Sequence, residues 1–141
     1  MLTRRNFLKS MAAASAGLAF APGDFVAAAA ERKGPKSKEK VKIAYIGIGN
    51  RGDQIIHAFA DTGMVDVVAL CDVDLDGPQC EAVLKMYPKA KRFRDFREMF
   101  DKCGNEFEAV AAAVPDFDHF PIVMLCLDQG KHIYIEKPLC R

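Results

Sequence analysis

From residue 41 onward, short apolar runs alternate with segments whose apolar residues recur at every third or fourth position. A short apolar run rich in Val and Ile predicts a β-strand, whereas the spacing of three to four predicts an amphipathic α-helix. Strands are predicted at residues 41–46, 64–71, 91–93, 107–114 and 132–135. The run 64–71 is almost wholly apolar, as in a strand covered on both faces. The pattern therefore predicts a parallel sheet with helices on either side.

Helical segments separate the predicted strands, and capping residues indicate where the first two helices begin and end. The first helix is predicted at residues 51–61, with its apolar residues facing the sheet. In the second helix, Asp76 is expected to cap the N-terminus, and Pro88 prevents continuation because it lacks a backbone N–H. The apolar positions of the second helix are Cys80, Val83, Leu84 and Tyr87.

The third and fourth helices are predicted in the same way. Asp95 and Glu98 have the spacing of a capping box, and Gly104 is expected to end the third helix. Its apolar stripe consists of Phe96, Met99, Phe100 and Cys103. Asp118 is expected to cap the fourth helix, which runs to Gly130 and is apolar enough to be largely buried.

This regular alternation of strand and helix predicts an α/β fold with a doubly wound parallel sheet of the Rossmann type. Right-handed crossovers give the strand order 3-2-1-4-5, with residues 91–93 as an edge strand. In such sheets, ligands bind beyond the carboxyl ends of the strands. Candidate chemistry is therefore expected in the segments that follow the strands, at residues 47–52, 72–74, 115–119 and 136–138.

The first of these segments places Gly47, Gly49 and Gly52 in G-x-G-x-x-G spacing, with Asn50 and Arg51 before the last glycine. The motif alone is weak, but its position between a strand and a helix is typical of a dinucleotide-binding turn. The first glycine permits a sharp turn, the second lets backbone approach a pyrophosphate, and the third permits close helix packing. The phosphates are expected at the helix N-terminus, where free N–H groups and the helix dipole favour an anion.

An acidic residue, Asp72, ends the second predicted strand, twenty residues after Gly52. A dinucleotide-binding unit places the carboxylate that binds the ribose diol at about that distance. The alternative is a solvated acid at a strand end, and Asp74 is expected only to cap the loop. Position 73 is Val73 rather than an Arg or Lys that would bind a 2′-phosphate. The sequence therefore favours NAD over NADP.

Composition limits the partners and the number of domains. A chain of 141 residues has room for one folded domain, and half of its residues are apolar. The net charge is +1, but the first 40 residues carry about +5, which leaves about −4 for the rest. A mildly acidic domain without a basic stripe argues against nucleic acid as a partner.

Residues 1–30 are predicted to be an export signal peptide. Arg4 and Arg5 precede Phe-Leu-Lys and an Ala-rich stretch, which resembles a twin-arginine signal for exporting folded proteins. The alternatives are an ordinary secretory leader or a short membrane anchor, but the stretch is too short and Ala-rich to favour a membrane-spanning helix. Residues 31–40 are predicted to be a charged, flexible linker. The protein is thus expected in the periplasm or otherwise exported, with no membrane span after signal cleavage.

The five cysteines show neither C-x-x-C pairs nor the spacing of metal ligands, so no metal site is predicted. Cys71 falls within a strand, and Cys80, Cys103 and Cys126 fall on the apolar stripes of helices. These four are predicted to be small core residues rather than members of disulfides.

The segments IGIGNRG, CDVD, VPDFDHF and EKP, which follow four of the predicted strands, together resemble the glucose-fructose oxidoreductase, inositol dehydrogenase and MocA family (Gfo/Idh/MocA). The resemblance covers residues 41–139. It implies a hydride-transferring Rossmann domain in which Lys137 is catalytic and reaches toward substrate and nicotinamide ribose. Pro138 commonly follows a cis peptide in this family.

The same resemblance implies that Pro115, His119 and Glu136 lie at the cofactor. A helix-capping or packing role explains His119 equally well. The family usually has Thr before this proline, whereas this chain has Val114, which removes one hydroxyl contact.

Family members continue into a second domain that completes the substrate pocket and through which any homo-oligomer is expected to form. This sequence stops at Arg141. The first hypothesis is an exported NAD-dependent oxidoreductase that acts on a sugar or sugar derivative and carries its cofactor with it. The second is a redox-neutral glycoside hydrolase in which transient oxidation permits elimination. The third is a module that binds a dinucleotide, or a partner subunit, without turnover.

Overall fold

The computed structural model describes residues 39–139, which form a five-stranded sheet flanked by helices. The strands are β1 (Val41–Ile46), β2 (Val65–Cys71), β3 (Lys91–Phe93), β4 (Ala109–Ala112) and β5 (His132–Ile135). The helices are α1 (Arg51–Asp61), α2 (Glu81–Met86), α3 (Phe96–Cys103) and α4 (Asp116–Asp128), with a 3-10 turn at Gly104–Glu106. No helix in residues 39–139 is both long enough and apolar enough to cross a membrane. The predicted signal peptide and most of the predicted linker lie outside the described residues.

The strands lie in the order β3-β2-β1-β4-β5, and every neighbouring pair is parallel. This arrangement confirms the predicted doubly wound sheet and the edge position of β3. Ile46, the last residue of β1, pairs with Cys71 of β2 and with Ala112 of β4. The central strands therefore end at the same level. The chain leaves β1 in one direction and β4 in the other, which opens a crevice at this edge.

Apolar side chains cover both faces of the sheet because alternate residues of a strand point to opposite sides. On β1, Ile43 and Tyr45 belong to the core that also contains buried residues of α1 and α2. Ala44 and Ile46 belong to the opposite core, which contains buried residues of α3 and α4. Both faces are thus sealed, which explains why β2 is apolar along almost its whole length.

The second helix begins later than the sequence predicts. Residues 74–80 form turns, and α2 begins at Glu81 without a side-chain cap. The Asp76 carboxylate is ion-paired with Arg94, which directly follows β3. The predicted Asp76 cap is therefore wrong, because a partner brought close by the sheet holds that carboxylate.

The ends of α3 agree only in part with the predicted capping pattern. Asp95 caps the helix as predicted, since its carboxylate accepts a hydrogen bond from the Arg97 N–H at 2.8 Å. The other half of the capping box is absent, because Glu98 pairs with Lys102 one turn further on. The helix ends at Cys103 with Gly104 as its C-cap, as predicted, and Gly104 has a φ of −54° because the chain continues into the 3-10 turn.

Helix α4 differs from its prediction in its start and in its exposure. It begins at Asp116, and the Pro115 carbonyl accepts the Asp118 N–H at 3.0 Å, so Asp118 lies within the first turn and is not the cap. One side of the helix is buried, at His119, Ile122 and Cys126. The opposite side exposes Phe117, Phe120, Met124 and Leu127. The prediction of a largely buried helix is therefore wrong for that side.

The cysteines that the structure describes are free and buried, which confirms their prediction as core residues. They are Cys71, Cys80, Cys103 and Cys126. Burial raises the pKa of the Cys71 thiol to about 12 and that of the Cys80 and Cys126 thiols to about 11. These thiols therefore remain protonated near neutral pH and have little nucleophilic character.

Candidate functional site

The turn between β1 and α1 is folded tightly around two glycines. Gly47 has a φ of +77°, in the left-handed region, and a Cβ there would lie 2.3 Å from the Ala113 carbonyl oxygen. A Cβ on Gly52 would lie 2.0 Å from the Gly47 carbonyl oxygen. Both clashes are with backbone, so no side-chain movement relieves them. The sharp turn and the close helix packing expected of the first and third glycines are thus present.

Helix α1 begins without a side-chain cap. Its N-cap residue, Asn50, has a φ of 48° and makes no capping hydrogen bond through its side chain. The first N–H groups of a helix have no partners within the helix and are satisfied by caps, water or ligands. With the positive end of the helix dipole, they make this turn suited to an anion such as a pyrophosphate.

The Asp72 carboxylate connects the end of β2 to the glycine turn. Its Oδ2 accepts hydrogen bonds from the Ile48 N–H at 2.9 Å and the Gly49 N–H at 3.4 Å. Its Oδ1 accepts from the Asp74 N–H at 3.0 Å. The Cys80 thiol also hydrogen-bonds to this carboxylate, so a ribose hydroxyl at Asp72 would share or replace one of these donors.

A cleft of about 490 Å³ lies at the carboxyl edge of the sheet, within the size range of small-molecule sites. Its walls are the glycine turn, the end of β2 and the turn between β4 and α4. The predicted site residues that line it are Gly47, Gly49, Asn50, Asp72 and Pro115. The donors, the carboxylate and the volume fit a dinucleotide. The remaining predicted residues, Arg51, Gly52, His119, Glu136 and Lys137, lie near this edge but do not line the cleft wall.

The cleft also contains residues that the sequence analysis did not select. Val73 and Phe117 are 81% and 69% exposed at its rim, and together they offer apolar surface to a flat ring.

Arg94 also lines the cleft, and its guanidinium donates to the Val73 carbonyl at 2.8 Å and to the Asp76 carboxylate. A cation is therefore present beside position 73, and these two contacts use two of its five N–H groups. The sequence could have indicated Arg94 as a cleft residue, because it directly follows the predicted strand β3 at the same edge of the sheet as Asp72.

A second group joins the start of α1 to the end of β5. Arg51 donates to Glu136 Oε1 from Nη2 at 3.0 Å and from Nε at 3.3 Å. The Tyr134 hydroxyl donates to the same oxygen at 3.2 Å. The hydrogen bond and charge of Arg51 hold the pKa of Glu136 below its usual value. Glu136 is thus fixed as an anion beside the exposed Lys137.

The segment after β5 also contacts α4. The Lys137–Pro138 peptide bond is cis, as the family resemblance implies. The Pro138 carbonyl oxygen contacts Nδ1 of His119, and Nε2 of the same ring lies 2.9 Å from the Val114 carbonyl oxygen. His119 is only 1% exposed, so its ring is enclosed by these backbone groups.

The doubly wound sheet, the glycine turn and the acid-lined cleft define a dinucleotide-binding Rossmann domain. Among residues 39–139, no cluster of three or more His, Cys, Asp or Glu side chains could hold a metal ion. Residues 41–141 match the model of the family described as "Oxidoreductase family, NAD-binding Rossmann fold". The chain therefore belongs to the Gfo/Idh/MocA family of NAD-binding oxidoreductases, which confirms the resemblance.

Curated relatives carry a hydrolase name. The chain is 32% identical over 104 residues to glycosyl hydrolase family 109 protein 4 of Phocaeicola vulgatus, a match that covers 71% of this chain and 20% of the relative. A glycosyl hydrolase family 109 protein of Shewanella pealeana is 25% identical over 154 residues, covering 98% of this chain and 34% of the relative. The chain thus spans about a fifth to a third of the length of these relatives.

Solved structures share the fold. A WlbA dehydrogenase from Chromobacterium violaceum, in complex with NADH and UDP-GlcNAcA, matches with a TM-score of 0.63 at 19% identity, over 74% of this chain and 29% of that chain. This similarity shows the same fold of the cofactor-binding domain.

Proposed function

We propose that this chain binds NAD in the cleft and that the protein moves a hydride between nicotinamide and a sugar or sugar derivative. The observation that carries the proposal is the meeting of three features at one sheet edge: the uncapped glycine turn, the Asp72 carboxylate and the Lys137 segment. Support for a carbohydrate substrate comes from the sugar nucleotide bound to the WlbA dehydrogenase and from the glycosyl hydrolase names of the relatives.

Different residues at the cleft bind different parts of the cofactor. Gly47, Gly49, Asn50 and Gly52 shape the turn that holds the pyrophosphate against the start of α1. Asp72 accepts hydrogen bonds from the adenosine ribose, and its negative charge repels the 2′-phosphate of NADP. Arg94 lines the same cleft, but its charge is already paired with Asp76, so it offsets this repulsion only in part. Pro115 and the apolar rim confine the adenosine.

The reactive end lies beside Glu136 and Lys137. When bound, NAD accepts or donates a hydride at nicotinamide C4. In the direction of reduction, the Lys137 ammonium would donate a hydrogen bond to the carbonyl oxygen of the oxidised substrate and stabilise the negative charge that develops there as the hydride reaches carbon, and its proton would complete the hydroxyl group; oxidation would run through the same steps in reverse. Glu136, held by Arg51, fixes the backbone from which Lys137 extends.

The test of this role is Lys137→Ala in the protein expressed from its complete reading frame. Loss of a donor that acts in the transition state should reduce kcat and kcat/KM together, by about a hundredfold or more, while NAD still binds. If Lys137 only neutralises Glu136 at the surface, its loss should have little effect on stability and none on rate, because exposed ion pairs contribute little. An unchanged turnover rate with normal NAD binding would therefore remove Lys137 from the mechanism.

A second candidate function is redox-neutral glycoside cleavage, in which the sugar would be oxidised transiently by hydride transfer to NAD, elimination would break the glycosidic bond, water would add to the unsaturated sugar and the hydride would be returned. The observation that favours it is the glycosyl hydrolase family 109 name of the relatives. Product analysis separates the two functions. Net oxidation yields reduced nicotinamide or a reduced co-substrate in proportion to product, whereas redox-neutral cleavage releases free sugar without either.

Export through the twin-arginine route is proposed from Arg4 and Arg5 in the leader sequence. A protein that folds around its cofactor before export could carry NAD out of the cytoplasm. Replacing both arginines with Lys should leave the precursor in the cytoplasmic fraction. Continued export and cleavage of that variant would exclude this route.

A further inference from the structure

His119 is buried in the first turns of α4, with 1% of its surface exposed. Its Nε2 lies 2.9 Å from the Val114 carbonyl oxygen, and its Nδ1 contacts the Pro138 carbonyl oxygen. A carbonyl oxygen only accepts hydrogen bonds, so each contact requires an N–H on the ring. A doubly protonated ring satisfies both contacts, and a neutral ring satisfies one. The ring thus lies between two backbone carbonyl groups and donates to at least one of them.

The two carbonyl groups belong to different turns at the edge where the cofactor is proposed to bind. Val114 lines the cleft in the turn after β4, whereas Pro138 directly follows Lys137. On the other side of Lys137, Glu136 is held by Arg51 at 3.0 Å, and its N–H donates to the Ala112 carbonyl at 3.3 Å. The backbone is thus anchored on both sides of Lys137, while the lysine side chain stays exposed.

We propose that His119 is a positioning residue whose ring joins the turn after β4 to the turn after β5 and thereby fixes where Lys137 stands relative to the cleft. This inference rests on the proposed function, which gives Lys137 its place beside the nicotinamide ribose and the substrate. Lys137 extends on a flexible four-carbon chain, so the position of its ammonium depends on the backbone that carries it. A displacement of about 1 Å in a catalytic group can cost about a hundredfold in rate.

The experiment measures acylation of Lys137 in the full chain by a dilute amine-reactive reagent, with and without saturating NAD. Peptide mass spectrometry gives the labelling rate of Lys137 relative to that of Lys85, an exposed lysine on α2. The variants are His119→Ala, which removes both ring contacts, and His119→Gln, which retains one donor group. His132→Ala is the matched control, since His132 is an exposed histidine at the start of β5. Calorimetry measures the affinity of each protein for NAD, and a cooperative thermal unfolding transition shows that the protein is folded.

In the unmodified chain and in His132→Ala, NAD should slow labelling of Lys137 about tenfold, the effect of one charge-assisted hydrogen bond on the amine. In His119→Ala, NAD should bind with an affinity within about threefold of the unmodified chain, because the ring lies outside the cleft wall. Protection of Lys137 should nevertheless fall to less than about twofold, since the ammonium no longer stands in a fixed place. His119→Gln should give intermediate protection, and it decides the question if the alanine variant does not fold.

Equal protection of Lys137 in His119→Ala and the unmodified chain would overturn the positioning role and leave His119 as a packing residue. Loss of NAD binding in a folded His119→Ala protein would also overturn it, because the ring would then belong to the cofactor site itself. Failure of the unmodified chain to bind NAD would overturn the proposed function. Calorimetry on the unmodified chain distinguishes that failure from the other two outcomes.

Discussion

At the scale of single residues, Asp72 illustrates what the sequence can and cannot predict. Its distance from Gly52 predicted a carboxylate at the dinucleotide cleft, and the structure places it on the cleft wall. The sequence did not predict that this carboxylate also accepts the N–H groups of Ile48 and Gly49. That contact depends on the register of β1 and β2, which pairs Ile46 with Cys71 and so brings the two strand ends level.

Asp72→Asn is expected to change cofactor choice while preserving the glycine turn, because the amide oxygen still accepts from Ile48 and Gly49 and only the hydrogen bond from the Asp74 N–H is lost. A phosphate about 4 Å from the carboxylate is repelled by about 4 kcal/mol per unit charge at an effective dielectric of about 20. The unmodified chain should therefore bind NAD at least about a hundredfold more tightly than NADP, and the variant should reduce that ratio to about tenfold or less. Calorimetric titration with both cofactors measures the ratio.

The control for this change is Asp66→Asn, which removes an exposed acid from the opposite end of β2. Its NAD to NADP ratio should equal that of the unmodified chain. Equal affinities for the two cofactors in the unmodified chain would show that Asp72 does not select between them.

At the scale of elements, the strands were predicted better than the helix ends. The bounds of α1, β3 and β5 agree with the sequence pattern, because apolar periodicity reports which residues face the sheet. The start of α2 was predicted wrongly because Asp76 has a distant partner, Arg94, that only the folded sheet reveals. The exposed side of α4 was not predicted either, because the sequence shows that a residue is apolar but not whether another element covers it.

Lys131, just before β5, provides a test at this scale. Its Nζ donates to the carbonyl oxygens of Gly104 at 2.6 Å and Phe107 at 3.0 Å, which ties β5 to the 3-10 turn. Lys131→Met should lower the free energy of unfolding by about 1–3 kcal/mol, because both carbonyl groups lose a charged donor. Urea unfolding measures the change, and NAD affinity should stay the same.

The matched control is Lys102→Met, which removes an exposed lysine paired with Glu98 one turn away on α3. Such a pair contributes about 0.3–0.5 kcal/mol, so this variant should unfold nearly like the unmodified chain. Equal destabilisation by the two substitutions would mean that the hydrogen bonds from Lys131 to the carbonyl groups of Gly104 and Phe107 stabilise the fold no more than an exposed ion pair does.

At the scale of the whole molecule, two apolar cores on opposite faces of one sheet stabilise the fold and leave its carboxyl edge for binding. The strand order followed from alternation and the handedness of crossovers, so it could be predicted without knowledge of any contact. The cleft rim, the Arg94 pair and the His119 contacts could not, because each joins residues from segments distant in the chain. The chain spans about a fifth to a third of the length of its curated relatives.

The buried cores should make the fold sensitive to alkaline pH. Burial raises the pKa of the Cys71, Cys80 and Cys126 thiols from 9.0 to about 12, 11 and 11, and it also raises the pKa of Tyr45. Above about pH 9 the unfolded chain releases these protons while the folded chain retains them, so the unfolded state binds fewer protons and stability falls as pH rises. The loss should approach about 1.4 kcal/mol per pH unit for each thiol.

Urea unfolding at several values between about pH 8 and pH 10.5 measures this dependence. Cys126→Ala should make the free energy of unfolding fall less steeply with pH, because one of the titrating thiols is removed. This change in slope is expected whatever the effect of the substitution on stability at neutral pH. A stability that stays constant over that interval would contradict the buried, protonated state of these thiols.

The central claim is that the turn between β1 and α1 holds NAD, and calorimetric titration of NAD into the chain and into Gly52→Ala tests it most directly. The added Cβ would lie 2.0 Å from the Gly47 carbonyl oxygen, so the turn must shift, and affinity should fall at least about tenfold in a protein that still unfolds cooperatively. Gly104→Ala is the control, because its Cβ would meet side chains and no backbone, Gln129 at 3.1 Å and Phe100 at 4.0 Å, and its affinity should stay within about twofold. Absence of NAD binding in the unmodified chain, or equal affinity in Gly52→Ala, would contradict the claim.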